Sequence, residues 1–302
     1  MVVTFLLNGI LTFLGAFSVS VNLLVIKRTF FGGWKSTSST DDPRHLQYFY
    51  LLFANSCLGL VSMIEGATYG LELPSWTCSL KALLLQIFGL ASFCWCARIM
   101  YTTDNMMRNI FLWRPIYYTV STHIDHLIGW GIPLFTVFVL LLIHKMNESD
   151  ETFCWRALPH QDYTRIYATA IMFLLPHAII LAYLVKLSYF YFSIHTFNGP
   201  LKSTIQRVRA ILFIVLGLRL LFFMTRVMHA LLLERSDALI NLLYFISPLI
   251  LSFGDTLAFS ILFISKHFTE LRSTMSTASP TGDTGVTPDE LETSHFIQAE
   301  ED

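Results

Sequence analysis

Charged residues and cysteines are scarce in this sequence. Only 14% of its 302 residues are charged, against about 25% in an ordinary soluble domain, while 54% are hydrophobic. Five cysteines are too few for a disulfide-stapled scaffold, and no paired Cys-x-x-Cys motif predicts a structural zinc site. This composition argues against a soluble enzyme and against a nucleic-acid-binding protein. It predicts a membrane protein.

Motifs that carry enzyme chemistry are missing as well. The sequence has no His-Glu-x-x-His, no Gly-x-Ser-x-Gly, no phosphate-binding loop and no pair of aspartates within its apolar runs. His123 and His126 stand three residues apart, but they have no further ligand at metal spacing beyond Asp125. We therefore expect no enzymatic activity, no metal site and no cofactor.

The net charge of −1 conceals two segments of opposite sign. Residues 267–302 hold eight acidic residues and one arginine, which gives a net charge of −7. Residues 1–266 hold 19 basic and 13 acidic residues, a net charge of +6. A polar, acidic, Ser/Thr-rich end cannot bury enough apolar surface to fold alone. We predict a membrane-embedded bundle over 1–268 and a disordered cytoplasmic tail over 269–302.

Seven apolar segments are long enough to cross a bilayer, which takes about 20 residues of helix. They lie near 3–26, 46–71, 79–102, 126–144, 164–190, 210–233 and 239–265. The predicted fold class is all-α, a polytopic membrane protein with a bundle of seven transmembrane helices. No internal repeat supports an inverted-repeat transporter.

Lysine and arginine divide unevenly between the two sides of such a bundle. If the chain begins outside, thirteen of these residues lie on the cytoplasmic side and six on the outer side. Cytoplasmic loops carry the basic excess, so we predict an outer N-terminus and a cytoplasmic C-terminus. The opening segment has no basic start and directly precedes Lys27-Arg28, which favours an uncleaved first span over a signal peptide.

Two features of the outer side agree with this orientation. Asn147-Glu148-Ser149 is an acceptor for N-glycosylation in the longest outer loop. Cys78 lies at the outer start of span three and Cys154 in the loop between spans four and five, where the environment is oxidising. We predict a disulfide between these two cysteines that holds the loop across the top of the bundle.

Several short motifs follow one another in a definite order. They are Pro74-Ser75-Trp76-Thr77-Cys78, Trp95, Gly129-Trp130-Gly131-Ile132-Pro133, Cys154-Trp155, Pro176, Gly217-Leu218-Arg219 and Gly254-Asp255. Together with seven spans, this order resembles the G-protein-coupled receptor superfamily. Over roughly residues 1–272 the chain is most similar to the cyclic-AMP-receptor-like branch. The resemblance implies a receptor fold that faces a heterotrimeric G protein on its cytoplasmic side.

Two switch motifs of the rhodopsin-like family are absent. The region at the inner end of span three reads Tyr101-Thr102-Thr103-Asp104-Asn105 instead of Asp/Glu-Arg-Tyr. Span seven reads Ser247-Pro248-Leu249-Ile250-Leu251 instead of Asn-Pro-x-x-Tyr. A retinal-bearing opsin would need a lysine in the middle of span seven, whereas Lys266 follows that span. The sequence therefore argues against a rhodopsin-like member.

Ionisable residues inside the spans are costly, so they indicate function. Arg219 lies about ten residues from the inner start of span six, and Asp255 lies about ten residues from the inner end of span seven. Because helices rise by the same amount per residue, both side chains are expected at the same depth in the membrane. We predict that the two side chains pair and that Asn55 of span two reaches the same layer. The pair is either an interhelical switch or a permanent packing element.

A second polar group is predicted near the outer mouth of the bundle, where a small extracellular ligand would bind. Few residues precede span one, so we expect the bundle and its loops to recognise that ligand. The alternative is that the charged members pair structurally and the aromatic members form the interfacial belt. The residues of this group are Glu65, Gln86, Trp155, Tyr167, Arg226, His229 and Tyr244.

Basic residues of the inner loops suggest a surface for a G protein, although attraction to anionic lipid explains them equally well. They are Arg108, Arg114, Lys202, Arg207 and Arg209. Arg98 stands about one turn above the inner end of span three, and we expect its side chain to reach toward the lipid headgroups. Phosphorylation of the tail would suit an arrestin-like adaptor, and the alternative is a tail that only remains solvated.

The sequence thus predicts a receptor that lies in the lipid bilayer of the plasma membrane, at the cell surface or on a cilium, and signals to a heterotrimeric G protein. The alternative is a receptor-fold protein that does not signal, either a membrane scaffold or adhesion regulator or a small-molecule transporter. The missing switch motifs favour this alternative, whereas the polar layer of Asn55, Arg219 and Asp255 opposes it.

Overall fold

A computed structural model of the chain describes residues 2–27, 43–68, 75–111, 122–143, 163–193, 200–231 and 238–264. Every regular element within these ranges is helical, which confirms the predicted all-α fold class. The described residues lie within one compact unit, Met1–Ile264. The predicted tail, 269–302, lies outside the described residues.

The described ranges contain seven helical elements, one for each predicted span. The fourth runs through three successive segments, which we name together as α4. The elements are α1 (Val2–Ile26), α2 (Pro43–Thr68), α3 (Ser75–Phe111), α4 (Thr122–His126, Leu127–Gly131 and Ile132–Ile143), α5 (Tyr163–Ser193), α6 (Pro200–Leu231) and α7 (Ala238–Ile264).

Four of these helices contain a segment that is long and apolar enough to cross a membrane: Leu46–Ile64, Leu83–Asn109, Leu174–Ser193 and Ile205–Thr225. The other three contain shorter apolar segments within the described residues. Large apolar side chains point outward, with Phe13, Leu127, Phe135 and Phe213 each about two-thirds exposed or more. In a membrane these faces meet lipid tails rather than water.

The helices pack in chain order into a closed ring. Each contacts the next along the chain, and α7 returns to contact α1 and α2. Helix α3 takes the most central place, because it contacts α2, α4 and α5 and its middle third, from Leu90 to Cys96, is buried. Side chains of α2, α4, α5, α6 and α7 therefore find hydrogen-bonding partners on α3.

Two helices extend beyond the predicted spans on the predicted cytoplasmic side. Helix α3 continues to Phe111 rather than ending near residue 102, and α6 begins at Pro200 rather than near residue 210. Hydrophobicity marks only the part of a helix that is apolar, so a helix can continue through polar sequence at its end. Pro200 stands at the first helical position, where its missing N–H leaves no hydrogen bond unmade. The extensions bring Asp104 and Arg209 into regular helix.

Helix α4 contains a widened turn that the sequence analysis did not predict. Leu127–Gly131 is π-helical, and two residues after it stands Pro133, whose ring nitrogen cannot donate to the carbonyl of Gly129. A Cβ atom at position 129 would lie only 2.2 Å from Cε2 of Trp95. Glycine is therefore required here, because it lets α4 approach the indole of α3 directly.

Candidate functional site

The centre of the bundle holds an ion pair between α6 and α7. Arg219 donates from Nη1 to Oδ1 of Asp255 at 2.7 Å and from Nη2 to Oδ2 at 3.0 Å. Both side chains have zero exposed surface. The planar guanidinium matches the carboxylate with two parallel hydrogen bonds, the strongest geometry available to this kind of pair. The predicted pairing of Arg219 with Asp255 is present.

Helices α2 and α3 also contribute to this pair. Arg219 Nη2 donates to the main-chain carbonyl of Ser92 at 3.0 Å, and the Ser92 hydroxyl donates to Asp255 Oδ2 at 3.2 Å. The guanidinium carbon lies 4.9 Å from the ring centroid of Phe93, within the range of a cation–π contact. Asn55 Nδ2 reaches Asp255 Oδ2 at a long 3.5 Å. We call Asn55, Ser92, Arg219 and Asp255 the central polar cluster.

A chain of hydrogen bonds continues from this cluster to α1. The hydroxyl of Ser252, one turn before Asp255, donates to the main-chain carbonyl of Asn55 at 3.0 Å. Asn22 Nδ2 lies 3.0 Å from the same hydroxyl, and the Thr256 hydroxyl donates to Asn22 Oδ1. Ser18 Oγ lies 2.8 Å from Ser252 Oγ. Five helices thus share one buried hydrogen-bonded network.

Burying two charged side chains costs free energy, so the presence of this ion pair indicates a functional position. A buried ion pair is often no more stabilising than well-packed apolar residues of the same volume. Ionisable residues within a membrane bundle are rare and mark functional positions by default. The pair joins α6 to α7 and also bonds to α2 and α3, so four helices meet at this one pair of charges.

A second polar cluster ties α2, α3 and α4 together on the predicted cytoplasmic side. Asp125 accepts from Gln47 Nε2 at 2.7 Å and from Arg98 Nη2. Thr102 donates to Gln47 Oε1 at 3.1 Å, which closes the group. The expectation that Arg98 reaches toward lipid headgroups is wrong, because Asp125 provides a partner within the bundle and the Arg98 side chain is only 15% exposed.

A third polar cluster lies near the end of α3, the end of α5 and the start of α6. Asp104 accepts from Arg108 Nε at 3.0 Å and from the Tyr191 hydroxyl at 3.2 Å. Arg209 Nε donates to the main-chain carbonyl of Tyr191 at 2.7 Å. The guanidinium carbon of Arg108 lies 4.8 Å from the ring centroid of Phe190. Two residues predicted to form a G-protein surface, Arg108 and Arg209, are therefore engaged within the protein.

The remaining basic residues of the predicted G-protein surface are placed differently. Lys202 is exposed and Arg207 half-buried on α6, and Arg114 lies outside the described residues.

Of the predicted ligand pocket, the structure describes the side chain of Gln86. It is buried on α3, and its Nε2 has no hydrogen-bond partner among the described residues. Nearby on the same helix, Phe93 contacts His177 of α5 and Phe222 of α6, with ring centroids 4.6 and 5.6 Å away. The other predicted pocket side chains lie outside the described part: Glu65, Trp155, Tyr167, Arg226, His229 and Tyr244.

The predicted modifications of the outer side stay predictions. The side chain of Cys78 is not described, and Cys154 and Asn147 lie outside the described residues. Among the described cysteines, Cys57, Cys94 and Cys96 are free thiols.

The seven-helix architecture with a buried, ion-paired centre is that of a membrane receptor bundle. The model of the family described as "7 transmembrane receptor (Secretin family)" matches residues 6–253. This match covers all seven helices in whole or in part, so the chain belongs to the secretin family of seven-transmembrane receptors. It is a multi-pass membrane protein of a receptor family rather than of an enzyme family.

The chain is also similar to the adhesion G protein-coupled receptor E5 of Mus musculus. The two sequences are 28% identical over 143 residues, which is 47% of this chain and 16% of the relative. The chain therefore corresponds to a small part of that relative's length. The family match supports the predicted receptor class, whereas the resemblance to the cyclic-AMP-receptor-like branch is not confirmed and stays a prediction.

Sequence reasoning missed several residues of these clusters. Ser92 contributes partly through its main chain, which no pattern of side chains reveals. Gln47 and Asp125 stand at the ends of predicted spans, where polar residues are usual. Asp104 and Arg108 could have been found, because their i, i+4 spacing puts opposite charges on one helix face.

Proposed function

We propose that this protein is a receptor that transmits an extracellular signal to a heterotrimeric G protein by rearranging the central polar cluster. The observation that carries the proposal is the fully buried pair of Arg219 and Asp255, which connects α6 and α7 to α2 and α3. Membership of a receptor family supports the same conclusion.

The physical basis is a two-state equilibrium. In the state described here the two charges pair with each other and bond to Ser92 and Asn55, while the buried Nε of Arg219 has no hydrogen-bond partner among the described residues. A second state needs a different arrangement of the helices and other partners for the same charges. A ligand shifts the equilibrium only as far as its affinities for the two states differ. The central polar cluster is the element that such a ligand would bias.

The receptor's surroundings follow from this proposal. With an outer N-terminus, the ligand pocket opens to the outside. The end of α3, the end of α5 and the start of α6 then lie in the cytoplasm, where they can contact a G protein. We expect a small extracellular ligand near Gln86, with Lys202 and Arg207 facing the G protein. Arg108 and Arg209 would reach it only after giving up their contacts within the protein. We also propose the plasma membrane as the location and an arrestin-like adaptor as a partner of the tail.

Cell-based sensors of G-protein dissociation, covering all G-protein classes, test the proposal. We expect measurable basal coupling in the wild type. We expect Asp255→Asn, which keeps the side-chain shape but removes the charge, to raise it about five- to tenfold. Gly217→Ala is the matched control, because a methyl group there meets no atom within 4 Å. Surface delivery is measured for every variant.

One pattern would contradict the proposal. If neither the wild type nor Asp255→Asn coupled to any G-protein class while both reached the surface normally, the protein would be a receptor-fold scaffold rather than a signalling receptor. Unchanged basal coupling in Asp255→Asn and in Arg219→Ala, with normal delivery, would instead make the pair a permanent packing element.

A further inference from the structure

Gln86 is a buried polar side chain with an unused hydrogen-bond donor. It lies on α3, about three turns from the start of that helix at Ser75 and about 9 Å from the layer of Ser92. Its side chain is buried, and its Nε2 has no hydrogen-bond partner among the described residues. An amide buried in this way loses its bonds to water and gains none in return. A hydrogen-bond acceptor that reached this amide would remove that cost.

Three aromatic rings from three helices meet one to two turns further along α3. Phe93 follows Gln86 by seven residues and so lies on the same face of the helix. A Cβ atom at Gly89, one turn after Gln86, would lie 3.5 Å from Cζ of Phe222 of α6, so this ring packs against α3. His177 of α5 stacks on Phe222 and meets Phe93 edge to face, with ring centroids 6.0 and 4.6 Å away. We call Phe93, His177 and Phe222 the aromatic floor.

The aromatic floor is apolar and connects Gln86 to the central polar cluster. Phe93 and Phe222 belong to one buried hydrophobic cluster that also contains Leu85 and Leu90. The guanidinium carbon of Arg219 lies 4.9 Å from the ring centroid of Phe93, and this guanidinium is already bonded to Asp255. A molecule on the floor would therefore meet apolar side chains and a charge that is already paired.

These surroundings restrict the kind of molecule that would bind. The Nε2 group of Gln86 donates, so the atom it contacts must accept, which excludes an ammonium group. A carboxylate or a sulfate can accept, but it would lose its hydration in exchange for one uncharged donor, and burying a charge without a charged partner is very costly. An uncharged carbonyl accepts the same bond without that cost, and an apolar body suits the rings.

We propose that Gln86 and the aromatic floor bind an uncharged, lipid-like molecule that carries a carbonyl group, such as a monoacylglycerol. The carbonyl oxygen accepts from Gln86 Nε2, and the apolar chain packs on Phe93 and Phe222. A chain in this position touches the ring that Arg219 contacts, which links binding to the central polar cluster. The inference rests on the proposed receptor function, because it names the class of ligand that this receptor recognises.

Photoaffinity labelling of the purified full-length protein, in nanodiscs of an uncharged phospholipid, tests the proposal. The probe is a monoacylglycerol with a diazirine in its acyl chain, and the comparison probes are an alkyl sulfate and an alkyltrimethylammonium salt with the same chain. Mass spectrometry measures the label on residues 86–93 of α3 and 218–222 of α6. We expect the monoacylglycerol to label these residues at least about threefold more than either charged probe. Gln86→Met should lower its labelling about three- to tenfold, because one hydrogen bond is removed while the side-chain shape is kept.

Thermal unfolding of the same samples separates a binding role of Gln86 from a structural one. Because Nε2 has no partner without a ligand, Gln86→Met should leave the unfolding temperature of the ligand-free protein equal to that of the wild type or above it. The monoacylglycerol should raise the unfolding temperature of the wild type but not that of Gln86→Met. Gln206→Met is the matched control, since it changes an exposed glutamine of α6 and should keep both the labelling and the rise.

The outcomes separate this inference from the proposed function. Equal labelling by all three probes, or labelling that persists in Gln86→Met, overturns the inference whatever the G-protein sensors report. A lower unfolding temperature of ligand-free Gln86→Met, or its failure to fold, also overturns it, because the amide would then have a permanent partner such as a buried water. Labelling that depends on Gln86 supports the inference even if no G protein couples to the wild type, a result that would contradict only the proposed function.

Discussion

Arg219 and Asp255 meet through two parallel hydrogen bonds at the centre of the bundle, with no exposed surface on either side chain. A pair of this kind holds α6 against α7, but it also leaves each charge dependent on the other. The consequences for stability differ between removing one partner and removing both.

Removing one partner should be far more damaging than replacing both. We expect Asp255→Ala to lower the free energy of unfolding by about 3–5 kcal/mol, because the Arg219 charge stays buried without its partner. The double variant Arg219→Leu with Asp255→Leu should recover most of this loss. Thermal unfolding of the purified protein in nanodiscs measures both, and equal destabilisation in the single and the double variant would contradict the expectation.

Gly129→Ala should disturb the packing of α4 on α3. The added methyl group would lie 2.2 Å from the Trp95 ring, which cannot move freely because it also stacks on Tyr50 at 4.8 Å. We expect a loss of about 1–3 kcal/mol in the free energy of unfolding. Gly131→Ala is the control, since its nearest neighbour at 3.0 Å is the end of the flexible Leu127 side chain. An unfolding temperature that fell equally in both would argue against a specific role for Gly129.

Asp125→Ala should weaken the cluster that joins α2, α3 and α4. The change leaves Arg98 without its carboxylate and Gln47 Nε2 without its acceptor, at a cost of about 1.5–3 kcal/mol for hydrogen bonds to a charged group. Asp125→Asn should cost less because an acceptor oxygen is retained. The measurement is the fraction of folded protein by size-exclusion chromatography after heating, and identical profiles for the two variants would be inconsistent with this role.

The α1 connection gives another prediction. Asn22→Leu removes the acceptor of Thr256 and the donor to Ser252, both buried, and should lower the free energy of unfolding by about 1–3 kcal/mol. Ser20→Ala, whose hydroxyl bonds only to the main chain of its own helix at an exposed position, should stay within about 0.5 kcal/mol of the wild type. Thermal unfolding distinguishes them, and similar losses would show that the network adds little.

The predicted disulfide can be tested by mass spectrometry. We expect Cys78 and Cys154 to become alkylated only after reduction, and Cys78→Ser to free the thiol of Cys154. Cys78→Ser and Cys154→Ser should destabilise the protein equally, and the double variant by no more than either, because one bond is lost in each case. Alkylation of both cysteines without reduction would contradict the prediction.

The sequence was informative where one physical quantity decided the structure. Seven apolar runs predicted seven helices, and equal depth from the same membrane face predicted that Arg219 and Asp255 pair. The sequence was less informative about hydrogen-bond partners that lie on a different helix. Nothing in the composition around Arg98 indicates that Asp125 lies beside it, because that contact depends on how α4 packs on α3. The predicted end of α3 and the predicted start of α6 were also wrong, because both helices continue through polar sequence beyond their apolar segments.

The hydrogen bond from Arg219 to the carbonyl of Ser92 has an evolutionary consequence. Every amino acid supplies a carbonyl at position 92, so substitution of that residue can remove the hydroxyl contact to Asp255 but not the tie between α3 and α6. Of the two residues in this hydrogen bond, only the one at position 219 contributes through its side chain. Relatives that retain an arginine at the equivalent of position 219 are therefore expected to tolerate a variable residue at the equivalent of position 92 while keeping the same spacing between these two helices.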